Sequence, residues 1–144
     1  MYSLRKSKKG FTLIELMVVV AIIGVLALLG LRLYTGQQEK AKNAIVKANA
    51  GTIQTLIQAE LADSSAESVA AMWVSGSTGL AERSGIRNPV SGLAQTTAPT
   101  SGESKVAGEV WVDVPGDGET DFDINGWNAD ASANVYGTKL TAQR

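Results

Sequence analysis

The chain begins with a sharp change in hydropathy. Residues 1–10 are polar and basic and end in Gly10, and residues 11–31 then form an apolar run in which Thr12 and Glu15 are the only polar side chains. As a helix, this run of 21 residues rises about 31 Å, close to the hydrocarbon thickness of a bilayer. The pattern predicts a membrane-spanning helix whose basic amino end stays in the cytoplasm.

Beyond Arg32 the pattern becomes amphipathic, with apolar or small side chains at steps of three and four residues. The stripe comprises Ala41, Ile45, Ala48, Thr52 and Leu56, widened by Ile53, Ile57 and Leu61. This spacing predicts that the helix continues to about Ala62 and packs its second half against a globular head. Ser64 and Glu67 fit a capping box that would begin a second, short helix.

The remaining sequence predicts a small sheet. Residues 75–102 are rich in Gly, Ser, Thr and Ala, which indicates loop with one short strand. The segment 105–114 alternates in polarity, with Val106, Val110, Val112 and Val114 on one face and Glu109, Trp111 and Asp113 on the other. Residues 121–124 and 134–140 are expected to be its shorter partners. We therefore expect an α+β fold, in which a long amino-terminal helix packs against a small antiparallel β-sheet.

Composition narrows the functional classes. The chain has no cysteine and no histidine, which excludes disulfides, thiolate metal sites and imidazole acid-base chemistry. Four of the 13 basic residues lie within the first ten positions, so the rest of the chain is acidic and no direct contact with nucleic acid is expected. The three tryptophans are expected in the core or at subunit contacts. Nothing in this composition favours an enzyme.

Two ordinary interpretations of the amino terminus fit poorly. A secretory signal peptide would have small residues at a cleavage site after the apolar run, but this run continues into helix through Arg32. A simple single-span anchor leaves Glu15 unexplained, because a carboxylate at the centre of a membrane helix costs about 2.5–3.5 kcal/mol on insertion scales.

The segment Lys8-Lys9-Gly10-Phe11-Thr12-Leu13-Ile14-Glu15 resembles the processing motif of type IV prepilins and pseudopilins. The resemblance implies the pilin fold. It also implies cleavage by a membrane prepilin peptidase between Gly10 and Phe11, methylation of the new Phe11 amine, and roles for Phe11, Thr12 and Glu15 in assembly. Glu15 lies four residues after Phe11, where it can balance the cationic amine of its own chain or of a neighbouring subunit.

The resemblance also suggests how the chain is divided. Residues 1–10 would be the leader, 11–34 the membrane and filament-core half of the helix, 35–62 its amphipathic half and 63–144 the head. Gly24 and Gly30 are poor helix formers and are expected either to let the helix loosen during assembly or to permit close helix contact. Arg32 stands where many pilins have proline and can extend to the membrane surface.

The segment 115–130 is acidic, with Asp117, Glu119, Asp121, Asp123 and Asn125 at every second position. One interpretation is a solvated turn. The other is a calcium site, because several oxygen ligands in a flexible loop suit that cation, and residues 121–126 match the first half of an EF-hand-like loop. The second half does not match, since Ser132 stands where a bidentate glutamate would complete the site. The segment also resembles the calcium loop of major pseudopilins, so calcium is the one cofactor considered.

These features predict a structural subunit rather than an enzyme. The leading hypothesis is the major pilin of a type IV pilus, a helical homo-oligomer assembled from the inner membrane by a platform and an ATPase and displayed at the cell surface. A major pseudopilin of a type II secretion system, which would be periplasmic, is the alternative within this class. A monomeric membrane-anchored binding domain is the alternative outside it.

Overall fold

The computed structural model of the chain describes residues 10–74, 79–96, 106–114, 120–136 and 140–143. The chain divides into two compact units, Met1–Gln37 and Gln38–Arg144. The elements follow the α+β layout of a pilin, with a long amino-terminal helix and a small antiparallel sheet of three strands.

The first helix, α1, spans Leu13–Asp63 and contributes to both units. In the first unit every described residue from Gly10 to Gln37 is exposed, including the large apolar side chains from Phe11 to Tyr34. An 18-residue window of this helix has a mean hydropathy of 2.8, and none of that window is buried. By length and composition α1 can therefore cross a bilayer, and its apolar surface requires lipid or other helices around it.

In the second unit, α1 buries one regular stripe of side chains. The buried residues are Val46, Ala50, Ile53, Ile57 and Leu61, at steps of four, three, four and four. The first stripe predicted from the sequence was wrong by one residue, or about 100° around the helix: Ala41, Ile45, Ala48 and Thr52 are exposed, and Leu56 is half-buried. The observed stripe carries more apolar volume, and that volume decides which face meets the head.

Two short helices follow: α2 at Ala66–Val74 and α3 at Leu80–Arg83. The capping box predicted for Ser64 and Glu67 is wrong by one position, because the Ser68 amide donates to Oγ of Ser65 at 3.4 Å. Ser68 then occupies the third helical position, where a box requires Glu or Gln. Val69 and Trp73 of α2 are fully buried. The helix α3 was not predicted, and it is held to α1 by an ion pair of 2.9 Å between Arg83 and Glu60.

The sheet has the order β1-β2-β3, with β1 at Val110–Asp113, β2 at Phe122–Gly126 and β3 at Leu140–Ala142. Both pairings are antiparallel, as the sequence predicts. The register pairs Val110 with Gly126 and Phe122 with Ala142. One sheet face is therefore formed by buried aliphatic and aromatic side chains: Val110, Val112, Phe122, Ile124 and Ala142. The opposite face carries Trp111 and Asn125, which are buried too.

The predicted strands differ from the observed ones in length. The strand predicted over 105–114 is shorter because Ala107 and Gly108 form a turn, in which the Glu109 amide donates to the Val106 carbonyl at 3.2 Å. The partner predicted over 134–140 begins instead at Leu140. Asn134 makes only an isolated bridge with Trp127, while residues 137–139 lie outside the described part of the chain.

The second half of α1 packs on the apolar face of the sheet. A Cβ placed on Gly126 would overlap Cγ1 of Val46, so helix and strand approach closely at this point. Two side-chain hydrogen bonds fix the arrangement. Gln54 Nε2 donates to the Thr141 carbonyl at 2.9 Å, and the Tyr136 hydroxyl donates to the Lys47 carbonyl at 2.8 Å. Burial raises the pKa of Tyr136, which keeps this hydroxyl protonated as a donor.

Candidate functional site

The predicted cleavage site lies just outside the helix. Gly10, Phe11 and Thr12 are not helical, and α1 begins at Leu13. The side chain of Phe11 is 90% exposed, and a Cβ placed on Gly10 would meet nothing within 4 Å. A protease needs an extended, accessible backbone, and the Gly10–Phe11 bond is not protected by helical hydrogen bonds. Cleavage there and methylation of Phe11 remain predictions.

Thr12 and Glu15 form a reciprocal cap at the start of α1. The Glu15 amide donates to Oγ1 of Thr12 at 3.3 Å, and Oε2 of Glu15 accepts from both the amide and the hydroxyl of Thr12 at 2.8 Å. This is a capping box, in which two amides at the helix start are satisfied by side chains. The carboxylate also lies at the helix end where the macrodipole favours negative charge.

The cap leaves part of the carboxylate available. Oε1 of Glu15 has no hydrogen-bond partner among residues 10–74 or the other described segments, whereas a carboxylate has about four acceptor positions. Thr12 therefore orients Glu15 toward the amino end of the helix while one oxygen remains able to bind an ammonium group. The sequence pattern Thr-x-x-Glu was visible at Thr12, but the capping box was predicted only at Ser64.

Gly24 and Gly30, predicted to loosen the helix, both lie within α1. A Cβ placed on either residue would meet nothing within 4 Å, so neither contacts another described part of the chain. The loosening predicted for a filament stays a prediction. The same holds for the close helix contact that a missing Cβ permits.

The structure brings only some of the acidic segment's predicted calcium ligands close together. Asp121 and Asp123 lie on the same side of the chain at β2, where Asp121 accepts from Gln143 Nε2 at 2.9 Å and Asp123 from the Thr141 hydroxyl at 3.5 Å. Asn125 is buried, and its Oδ1 accepts from the amides of Gly126 and Tyr136. Asp117 and Glu119 lie outside the described residues.

This arrangement is not the EF-hand-like loop considered from the sequence, because Phe122–Gly126 is a paired strand. Two carboxylates, Asp121 and Asp123, fit the chemistry of a calcium site, but the engaged oxygen of Asn125 does not. Within the described residues no group of three or more carboxylates is placed to hold a metal. Calcium binding therefore stays a prediction.

A polar cavity of 230 Å³ lies between α1 and the turn after β2, and it was not predicted from the sequence. Its lining residues are Glu39, Lys42, Asn43, Asn128, Ala129 and Asp130. Oδ1 of Asn43 accepts from the Ala129 amide at 2.9 Å, which ties the turn to the helix. Hydrogen bonds from Ser132 hold the pKa of Asp130 below its ordinary value, so this carboxylate is charged at neutral pH.

Comparison with known proteins identifies the amino-terminal region. A family model described as the prokaryotic N-terminal methylation motif matches residues 5–31. The fimbrial protein EcpB of Eikenella corrodens is 47% identical over 55 residues, which are 38% of this chain and 35% of that protein. A type IV major fimbrial protein FimA of Dichelobacter nodosus is 40% identical over 60 residues, 42% of this chain and 38% of that protein.

The type IV major alpha-pilin of Moraxella bovis is 42% identical over 55 residues, covering 38% of this chain and 35% of that protein. The chain thus spans between 35% and 38% of the length of these curated relatives. No solved structure matches the chain. The start of α1, with its capped glutamate and exposed apolar surface, carries the methylation motif, and the amino-terminal part of this chain is similar to that of type IV fimbrial proteins and pilins.

Proposed function

We propose that the chain is the major structural subunit of a type IV pilus, built into a helical filament through its amino-terminal helix. The observation that carries the proposal is the exposed apolar surface of the first half of α1, with the Glu15 carboxylate near its start and within the methylation motif. A carboxylate in the apolar run of a lone membrane anchor costs free energy and gains no compensating contact. The similar proteins named as major fimbrial proteins and major pilin support the same class, which is structural and not enzymatic.

In the proposed cycle, prepilin peptidase hydrolyses the Gly10–Phe11 bond, and the new amine of Phe11 is methylated. The methylated amine remains cationic and lies beside the amino end of α1. Glu15, oriented by Thr12, then binds the amine of a neighbouring copy through its remaining oxygen. An unpaired carboxylate among apolar helices is costly, so this pairing favours only the stagger at which amine and carboxylate meet.

The remaining parts of the proposal concern partners and location. The precursor would lie in the inner membrane, where lipid covers the apolar surface of α1. An assembly platform and an ATPase would move the processed subunit into the filament at the cell surface, where identical helices replace the lipid. The head would form the outside of that filament.

Electron microscopy of sheared surface material, combined with mass spectrometry of its subunit, tests the proposal. We expect long fibres whose subunit begins at N-methyl-Phe11. Processed and methylated subunit without long fibres would instead indicate a pseudopilin of a secretion system. An uncleaved chain that remains monomeric in the membrane would contradict both and favour the anchored binding domain.

A further inference from the structure

Arg32 is an isolated cation on a surface that the filament would cover. No other charged residue lies between Leu16 and Gln38. Its side chain is exposed, and in the segments that the structure describes its guanidinium makes neither a hydrogen bond nor an ion pair. At the membrane surface water can solvate it. Among packed helices it needs a carboxylate, because a buried charge without a partner is strongly destabilising.

The nearest carboxylate along α1 toward the head is Glu39. It lines the polar cavity between α1 and the turn after β2, together with Asp130 and Lys42. The cavity thus holds two carboxylates and one ammonium group, one negative charge in excess. Within the described residues Glu39 forms no ion pair. The ion pair found in those segments joins Arg83 and Glu60. One added cation would neutralise the excess negative charge of the cavity.

The stagger in the proposed filament brings these two groups to neighbouring levels. If the Phe11 amine of one copy meets Glu15 of the next, the copies are shifted by up to four residues, or about 6 Å along the helix. Identical parallel copies have the same shift at every level, so loosening near Gly24 or Gly30 does not change it. Arg32 of the shifted copy then lies near the level of Gly36.

At that level the geometry favours contact with Glu39. Glu39 is three residues further along, about 4.5 Å, and this offset stays the same in parallel copies because both side chains tilt toward the amino terminus alike. A long arginine side chain covers such a distance. Gly36 itself has no side chain, and a Cβ placed there would meet nothing within 4 Å, so the neighbouring helix can approach.

We propose that Arg32 of one copy forms an ion pair with Glu39 of a second copy of this chain, the carboxylate that lines the polar cavity. This contact rests on the proposed function, because it takes its register from the pairing of Glu15 with the Phe11 amine. It gives the filament a second charge pair about 30 Å along the helix from the first. It also explains a cation at the boundary between the apolar and amphipathic halves of α1.

Charge exchange in the full chain, expressed in cells that assemble it, tests the ion pair. Sheared filament is measured relative to total processed subunit for Arg32→Glu, for Glu39→Arg and for the double exchange. Each single variant places like charges together and should lower filament yield roughly tenfold or more. The double exchange should restore most of the yield. Lys40→Glu makes the same change of charge as Arg32→Glu at the position next to Glu39; it is the matched control and should retain the yield.

A cross-linking experiment tests the contact directly, since the chain has no cysteine of its own. Chains carrying Arg32→Cys and Glu39→Cys are co-expressed, and isolated filaments are treated with a short bis-maleimide. A mixed dimer joining the two positions is expected. Replacing Glu39→Cys with Gln58→Cys moves the thiol about 28 Å along the helix and should abolish the mixed dimer.

The outcomes separate this inference from the proposed function. If the unaltered chain forms no filament, the proposed function fails. If it forms filaments and Glu39→Arg assembles normally, or the double exchange does not recover, the ion pair is wrong and the function stands. Mass spectrometry of N-methyl-Phe11 in every variant identifies a loss of yield caused by failed insertion or processing.

Discussion

Replacing Gly126 with alanine tests how closely α1 approaches the sheet. Gly126 ends β2, and a Cβ there would overlap Cγ1 of Val46 and lie 3.2 Å from the Glu109 carbonyl oxygen. Val46 is fully buried in the core cluster, so the helix cannot shift without disturbing other packed side chains. We expect Gly126→Ala to lower the free energy of unfolding by about 1–3 kcal/mol, the usual cost of overpacking.

Thermal unfolding of the full chain in detergent, followed by tryptophan fluorescence, measures this effect. A loss of that size should lower the Tm by roughly 5–15 °C for a head of this length. Val46→Ala alone should cost about 2 kcal/mol through the space it leaves. In the double variant the new methyl group occupies part of that space, so the loss should be smaller than the sum by about 1–2 kcal/mol.

Gly51→Ala is the matched control. Gly51 lies in the same half of α1, and a Cβ placed there would meet nothing within 4 Å. Alanine in a helix is favoured over glycine by about 0.5–1 kcal/mol, so this variant should keep or raise the Tm. An unchanged Tm for Gly126→Ala, or strictly additive losses in the double variant, would refute the close contact between α1 and β2.

Three further predictions concern the head. Gln95→Ala removes the side-chain amide that is bonded to the amide and carbonyl of Val110; because both groups are buried, the free energy of unfolding should fall by about 2–3 kcal/mol, measured by chemical denaturation, and an unchanged midpoint would contradict it. Ser132→Ala should raise the pKa of Asp130 toward its ordinary value in a carbonyl NMR titration, because the Ser132 hydrogen bonds lower it. The stability from that lowered pKa is present above the unfolded-state pKa and is lost as the pH falls through the folded-state value; an unmoved titration would show that the serine hydroxyl has no effect. If calcium binds the acidic segment, calcium 100-fold above its dissociation constant should add about 2.7 kcal/mol, and an identical Tm with and without chelator would remove calcium from consideration.

Local sequence predicted α1 well, because both its helical character and its apolar first half depend on neighbouring residues alone. The buried face of the second half was harder to predict. The predicted stripe through Ile45 and the observed stripe through Val46 differ by a single position, and which of them is buried depends on the face that meets the sheet. That contact is tertiary, and only the bulk of Ile53, Ile57 and Leu61 indicated the correct side.

The bounds of the strands also depend on tertiary contacts that local sequence does not reveal. Alternating polarity extended the predicted strand back to Lys105, but Gly108 has a φ of 77° and lies against the side chain of Asn88. A turn at this position brings Asn88 Nδ2 to the Ala107 carbonyl at 2.8 Å. The role of Gln95 was not predicted either, because a glutamine in a Thr- and Ala-rich segment does not indicate that its amide will be buried against an edge strand.

Glu15 shows what the structure adds to a motif. From the sequence, the carboxylate is a charge in an apolar run that has to find an amine after cleavage. The structure shows that Thr12 already binds one of its oxygens, so the group is oriented at the helix start before any neighbour arrives. Assembly on this account does not break the cap. It adds an ammonium group to the oxygen that the cap leaves available, so that less side-chain freedom is lost when subunits dock.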